Sequence, residues 1–405
     1  MALVRMRGAC VLCGHAFAPD PVLTLPATPP ANEFVSEPRE QETFPLALYL
    51  CPDCGHLQLQ AVVDPGRLFG DYVYTTGTSP AAIAHFAGLA RALASRFALG
   101  AGSVVVDIGS NDGTLLKQFR RRGAHVHGVE PAGDIAAQAR RAAIPTTSAF
   151  FDREVAGKLR DTIGPADVIT ACNVFAHIDD LEGTALAVRS LLAPGGVFVF
   201  EVGYLLDMVE RVLFDVIYHE HLSYHAVRPL RRFFARLGMT LFDAERIGAQ
   251  GGSLRCYVAA DGRPVSAAVD DLEDLETAAG LFSPATYDAF GDAIDARGLA
   301  LAMRLERVRA EGGRLCGYGA PAKLTTLMYA LDLDGGNFGF VVDDSPLKQG
   351  LYTPGKHIGV TDRDAFQRVS GRGYTCVVFA WNLYGPITAA NADWDGTWIN
   401  PVEAP

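Results

Sequence analysis

The sequence predicts an α/β protein in three parts, on three observations. Two Cys-x-x-Cys pairs anchor a short-looped N-terminal segment. From Gly102, short apolar strands alternate with helical stretches. After a helical interval the same alternation resumes at Arg314. Alternation of this kind builds doubly wound, Rossmann-like parallel sheets. The parts are residues 1–71, 72–260 and 261–405.

The length agrees: 405 residues at roughly 150 per domain make two or three domains. A chain that is 49% hydrophobic and 20% charged is globular rather than disordered. The formal net charge of −11 argues against a non-specific nucleic-acid binder. A local pocket for an anion remains compatible with it. No apolar run approaches the roughly 18 residues of a membrane helix. Arg5 and Arg7 are not followed by an apolar stretch of the secretory kind, so the cytoplasm is the expected compartment.

In the first part, Cys10-Val-Leu-Cys13 and Cys51-Pro-Asp-Cys54 stand 37 residues apart, each followed by Gly. Two such knuckles present four thiolates, the donor set of a closed tetrahedral Zn²⁺ site. A full shell of four sulfurs leaves no open position for water, so the expected role is structural. His15 and His56 are read as bystanders, and Cys172, Cys256, Cys316 and Cys376 as small buried apolar residues.

The middle part opens with an Ala/Leu-rich helix over residues 80–99. The strand SVVVDIG leads to helix 114–122, HVHGVE to helix 132–143, ADVITACNV to helix 181–192, and then PGGVFVFEV. The first turn reads Asp107-Ile-Gly109-Ser-Asn111-Asp112-Gly113. The glycines let backbone approach a ligand. Glu130 ends the second strand, where a carboxylate can take both ribose hydroxyls. The turn lacks the phosphate cradle of G-x-G-x-x-G and adds acid and amide groups, which suit a cationic ligand without phosphate, S-adenosylmethionine (SAM). Together with LLAPGG, these residues predict a class I methyltransferase domain. Asn173 and His177 follow the third strand and face the same cleft.

Tyr218-His219-Glu220-His221-Leu-Ser-Tyr224 follows PGGVFVFEV by fewer than 20 residues. It lacks the H-E-x-x-H spacing of a zinc protease. A histidine oriented by a carboxylate is a natural general base. Methylation of carbon needs such a base, with a donor for the enolate oxygen.

The third part begins with a polar helical connector over residues 267–312. RLCGYGAP, helix 322–330, NFGFVVDD and YTCVVFAWN then form the second Rossmann-like unit. Lys323 at a helix start suits a pyrophosphate, and Lys348 lies in a loop that can also meet phosphate. G-Y-G-A-P-A-K lacks the third glycine of a dinucleotide site, so NAD is not expected.

The knuckles, VVDIGSNDGTLL, NVFAHIDDL, YHEHLSYH, GGSLRCYV, GYGAPAKLTTLM and VVDDSPLKQGLYTPGKHI occur here in one order. Together they resemble the nucleotide-sugar C-methyltransferases that act at C-3 in branched deoxysugar biosynthesis, over nearly the whole chain. The resemblance implies a TDP-linked 4-keto-6-deoxysugar, often 2-deoxy, as substrate. It implies His221 as base, with Tyr218 and Glu220 holding the sugar or positioning the base and His177 near the keto oxygen. Tyr72 is implied as a further active-site phenol, with Tyr74 as its rival; Tyr224 is read as substrate-facing. Leu324-Thr325-Thr326 departs from the smaller residues expected after GYGAPAK. O- or N-methylation of a small acceptor, and a non-catalytic zinc-knuckle binding module, are the competing readings.

Overall fold

The structure, a computed structural model, describes residues 3–70 and 75–403. Tyr72 and Tyr74 lie outside the described residues.

The middle of the chain forms a seven-stranded sheet. From one edge the order is Thr240–Ile247, Ser253–Ala259, Leu192–Gly203, Ala166–Cys172, Val104–Ile108, His125–Val129 and Thr146–Thr147. Five strands, from Leu192–Gly203 to Thr146–Thr147, run parallel, and Ser253–Ala259 is antiparallel to both neighbours. The central strands are buried on both faces, which explains their near-continuous apolar composition. Crossovers leave Val104–Ile108 and Ala166–Cys172 in opposite directions along the sheet. The crevice at their C-terminal ends is where such sheets bind ligand.

Helices form where caps and apolar spacing coincide. Pro80–Arg96 has Ser79 as its cap, accepting from the Ala82 amide, and Pro80 in its first turn; it buries Leu89, Ala90 and Leu93. Leu181–Leu191 starts at Asp180, which accepts from the Gly183 amide. Helix Arg153–Ile163 is an element the sequence reading did not place. Asp152 caps it through the Val155 amide, and Val155, Ala156 and Leu159 are its buried stripe.

The last part has a five-stranded, all-parallel sheet in the order Val360–Thr361, Phe338–Val342, Arg314–Tyr318, Tyr374–Val378 and Thr397–Ile399. The connector is two helices, Ala267–Ala278 and Pro284–Ala310.

The three parts are not packed as separate beads. Leu23–Thr28, Phe44–Leu50 and Leu57–Leu59 form an antiparallel sheet in the N-terminal part, and its fourth strand is Ser223–Tyr224 from the middle part. Ser223 pairs with Gln58 and Tyr224 with Leu57. The Ser223 amide also donates to the Ala176 carbonyl at 3.1 Å, beside His177. One hydrophobic core runs through all three parts, from Leu48 and Leu57 through Phe200 and Leu230 to Leu327 and Phe379. At ~1.5–3 kcal/mol for each large side chain fully buried, this shared core ties the N-terminal sheet to the strand that ends the Tyr218–Tyr224 segment.

Candidate active site

Each cysteine pair forms a tight knuckle. The Gly14 amide donates to the Cys10 carbonyl at 2.8 Å and the Gly55 amide to Cys51 at 3.0 Å. Gly14 and Gly55 have φ of 75° and 80°, the left-handed region that glycine enters without strain. The four sulfurs lie within 4.8 Å of one another. The Cys10–Cys54 and Cys13–Cys51 separations are 3.6 and 3.5 Å, near the roughly 3.8 Å edge of a tetrahedron with zinc–sulfur bonds of about 2.3 Å. The donor set fits Zn²⁺, and four sulfurs close its shell, so zinc here holds structure. His56 is buried and stacks on His225 at 5.4 Å, outside that set.

The SAM turn has the shape its sequence implies. Gly109, Asn111 and Gly113 have φ of 65°, 50° and 76°. A Cβ on Gly109 would stand 2.4 Å from a methyl of Val174. Asp107 is buried and accepts from the Thr170 hydroxyl at 2.6 Å; burial pushes its carboxyl up to about 7. Its short tie to Thr170 fits a residue that shapes the turn from beneath. Glu130 accepts from the Asn111 and Ala132 amides, both at 2.9 Å, and burial raises its carboxyl. Asp112 accepts from the Thr114 hydroxyl at 2.6 Å and fixes the helix start. Asn111 accepts from the Thr76 amide at 2.8 Å, closing residues 75–78 over the turn. Asn173 is exposed, with φ of 57°, at the end of the neighbouring strand. This cradle, with a carboxylate at the second strand end, fits a nucleoside sulfonium, which would rest on Gly109, Asn111, Glu130 and Asn173.

The Tyr218–Tyr224 segment divides its side chains. His219 turns into the N-terminal sheet and donates from Nε2 to the Phe44 carbonyl at 3.1 Å. His221 turns to the cleft. Its Nδ1 donates to the Val216 carbonyl at 2.7 Å, and the Tyr218 hydroxyl donates to its Nε2 at 3.0 Å. That network assigns the proton to Nδ1 and leaves a lone pair on Nε2. Burial depresses His221 to about 4, the Val216 carbonyl opposes this, and the Lys323 charge adds to the depression. The ring is therefore neutral at physiological pH. The orienting group is a backbone carbonyl, not the carboxylate the sequence suggested. The carboxylate of Glu220 points elsewhere: it is buried and accepts from Asn32 Nδ2 at 2.7 Å.

His177 meets His221 with ring centroids 4.9 Å apart and stacks on Phe69 at 5.9 Å. Burial and the neighbouring His221 hold it well below the usual histidine range. Tyr224 is the residue the sequence reads as substrate-facing. It is buried in the strand paired with Leu57, inside the shared core, because the apolar face of that strand carries its ring away from solvent. Lys348 is also not a solvated loop residue. It is buried, donates to the Ala320 carbonyl at 2.9 Å and faces Asp343 at 3.7 Å.

Lys323 opens helix Lys323–Ala330 and donates to Asn382 Oδ1 at 2.9 Å, with Nζ 4.0 Å from the Trp381 ring centre. The Thr325 and Thr326 departures now have a reason. Both are buried, and Thr326 donates to the Ile217 carbonyl at 2.7 Å, one residue before Tyr218. Asn32, Asp215, Trp381 and Asn382 were missed. Each is single, and its sequence neighbours carry no chemical pattern; only folding brings them together.

Comparison with known proteins finds matches along the whole chain. Three family models match in succession: a zinc binding domain over residues 10–69, a methyltransferase domain over 83–243, and a C-methyltransferase C-terminal domain over 248–403. The C-methyltransferase NovU of Streptomyces niveus is 31% identical over 412 aligned residues, covering 100% of this chain and 97% of its own. A ubiquinone biosynthesis O-methyltransferase of Cupriavidus pinatubonensis is 27% identical over 35% of this chain and 62% of its own. Among solved structures, magnesium protoporphyrin IX methyltransferase of Synechocystis, with bound SAH, aligns over 44% of this chain and 82% of its own, at 15% identity and a TM-score of 0.35. With knuckles, SAM turn and C-terminal unit all matched in order, the chain belongs to the zinc-bearing, SAM-dependent C-methyltransferase family that includes NovU.

Proposed function

We propose that this enzyme methylates C-3 of a TDP-linked 4-keto-6-deoxysugar, 2-deoxy in the preferred case, through an enolate. The observation that carries the reading is the neutral His221, with Nδ1 fixed on Val216 and the Nε2 lone pair, which accepts from Tyr218, placed to take a proton. A ketone at C-4 acidifies the C-3 hydrogen. His221 Nε2 takes that proton as the C–H bond breaks, and the electron pair passes to the keto oxygen. SAM, when bound, supplies an electrophilic methyl group whose bond to sulfur breaks as the new carbon–carbon bond forms.

The chain's own residues hold the sugar. Tyr218 hydrogen-bonds the base and releases it as the proton arrives. His177 is assigned to the keto oxygen. Glu220, held by Asn32, is assigned to a sugar hydroxyl, and Tyr72 and Tyr74 are assigned as substrate-facing phenols. Lys348 serves the nucleotide side, with its charge balanced by Asp343. Eight cysteines outside any disulfide, four of them the zinc donors, suit a reducing compartment, the cytoplasm.

The test uses S-adenosylhomocysteine, which cannot give a methyl group, and TDP-4-keto-2,6-dideoxyglucose in heavy water. Deuterium entering C-3 at an enzyme-dependent rate supports the enolate. Methyl transfer to oxygen or nitrogen under SAM, with no exchange at C-3, refutes it.

A further inference from the structure

The third part of the chain holds the residues on either side of Val216, whose carbonyl orients the base. Trp381 Nε1 donates to Asp215, the Val216 carbonyl holds His221, and Thr326 donates to the Ile217 carbonyl. Asp215 is completely buried, and its second oxygen, Oδ1, has no hydrogen-bond partner among the described residues. Lys323 lies on the Trp381 ring, the same indole that donates to Asp215. An ammonium has three donors, and the Asn382 bond uses one of them. Lys323, Trp381 and Asp215 are thus one cluster, with Asp215 one residue before the Val216 carbonyl that holds His221.

We propose that Lys323 is the oxyanion donor of the reaction, its ammonium pairing with the keto oxygen as charge develops there, rather than an anchor for the pyrophosphate. The inference rests on the enolate reading. When the C–H bond breaks, the proton goes to Nε2 and the electron pair ends on oxygen. That charge is best met by a donor in place beforehand. Lys348 is less suited, because the Ala320 carbonyl and Asp343 already engage its charge. His177, held neutral, keeps its place at the keto oxygen but brings no charge to meet the one that develops there. Burial lowers the Lys323 ammonium from its usual range, and Asp215 opposes that. Asp215 and Trp381 are positioning residues: they keep a charged ammonium beside the base.

The test compares Lys323→Met and Lys323→Arg with the wild type in the full-length zinc-loaded enzyme. Deuterium exchange at C-3 is read with S-adenosylhomocysteine bound, and affinity for TDP alone by calorimetry. The expected result for Lys323→Met is exchange slowed by about 10²-fold or more, with TDP affinity within about twofold; Arg restores part of the rate. The acid limb of kcat/KM should also move upward, because the Lys323 charge depresses His221. Loss of TDP affinity with exchange unchanged makes Lys323 a phosphate anchor and overturns the proposal. Trp381→Phe, which keeps the ring and removes the N–H to Asp215, should slow exchange by about tenfold, since each 1.36 kcal/mol in the barrier is one decade. Wild-type exchange in both variants overturns the proposal while leaving the enolate standing. Absence of exchange in the wild type, with methylation elsewhere, overturns the enolate reading itself.

Discussion

Replacing His221 with Asn separates binding from proton removal. Asn can still donate its amide N–H toward the Val216 carbonyl, so the loop keeps one of the two bonds that His221 makes. What disappears is the Nε2 lone pair, and with it the acceptor for Tyr218. One hydrogen bond is lost from a partly solvated site, which costs about 1 kcal/mol of stability. A positioned base contributes about 10²–10⁴ in rate, or roughly 2.7–5.4 kcal/mol at 1.36 kcal/mol per decade. The expected outcome is a folded enzyme with unchanged SAM affinity and methyl transfer slowed at least about 100-fold. SAM affinity is read by calorimetry, methyl transfer by quenched-flow mass spectrometry, and C-3 exchange by deuterium incorporation. The two rates should fall together, since both follow from one proton transfer. Exchange at the wild-type rate would remove His221 from the role of base, and equal loss of SAM affinity would make its role structural.

Three further outcomes follow from other parts of the molecule. Cys51→Ser should release zinc and destabilise the N-terminal sheet, because the closed four-sulfur shell is lost; one metal per chain in that variant, by elemental analysis, contradicts the site. Gly109→Ala should abolish SAM binding measurable by calorimetry, since its Cβ would stand 2.4 Å from Val174 at a left-handed φ of 65°; wild-type affinity contradicts the assigned turn. His221 is depressed to about 4 by burial against the pull of Val216, with Tyr218, His177 and Lys323 around it. Its neutral form is the active one, so kcat/KM should stay level as pH falls through 6.5 and decline only toward about 4, whereas an acid limb at 6.5 would contradict the buried ring.

The sequence declares what is local and periodic. Strand–helix alternation, the two knuckles and the Gly109–Gly113 turn are each written in consecutive residues, and their elements stand where the pattern puts them. Helix Arg153–Ile163 was overlooked although Asp152 and the Val155–Leu159 stripe carry the usual start signal. The contacts that build the site are another matter. The pairing of Tyr224 with Leu57, the bond from Asn32 to Glu220 and the chain from Trp381 through Asp215 join residues more than 160 positions apart. Periodicity reports which face is buried, not which partner buries it. For that reason the sequence singles out His221, with Tyr218 and Glu220 to hold the sugar or position the base, and does not show the Val216 carbonyl that orients the ring.

The most direct measurement of the central claim is the position of the transferred methyl group. The enzyme would be given SAM labelled with ¹³C at the methyl carbon and TDP-4-keto-2,6-dideoxyglucose, and the product read by NMR. The account predicts a labelled methyl with one-bond carbon coupling to C-3, beside the ketone. A labelled methyl attached through oxygen, or coupled to a carbon not adjacent to the ketone, would contradict it.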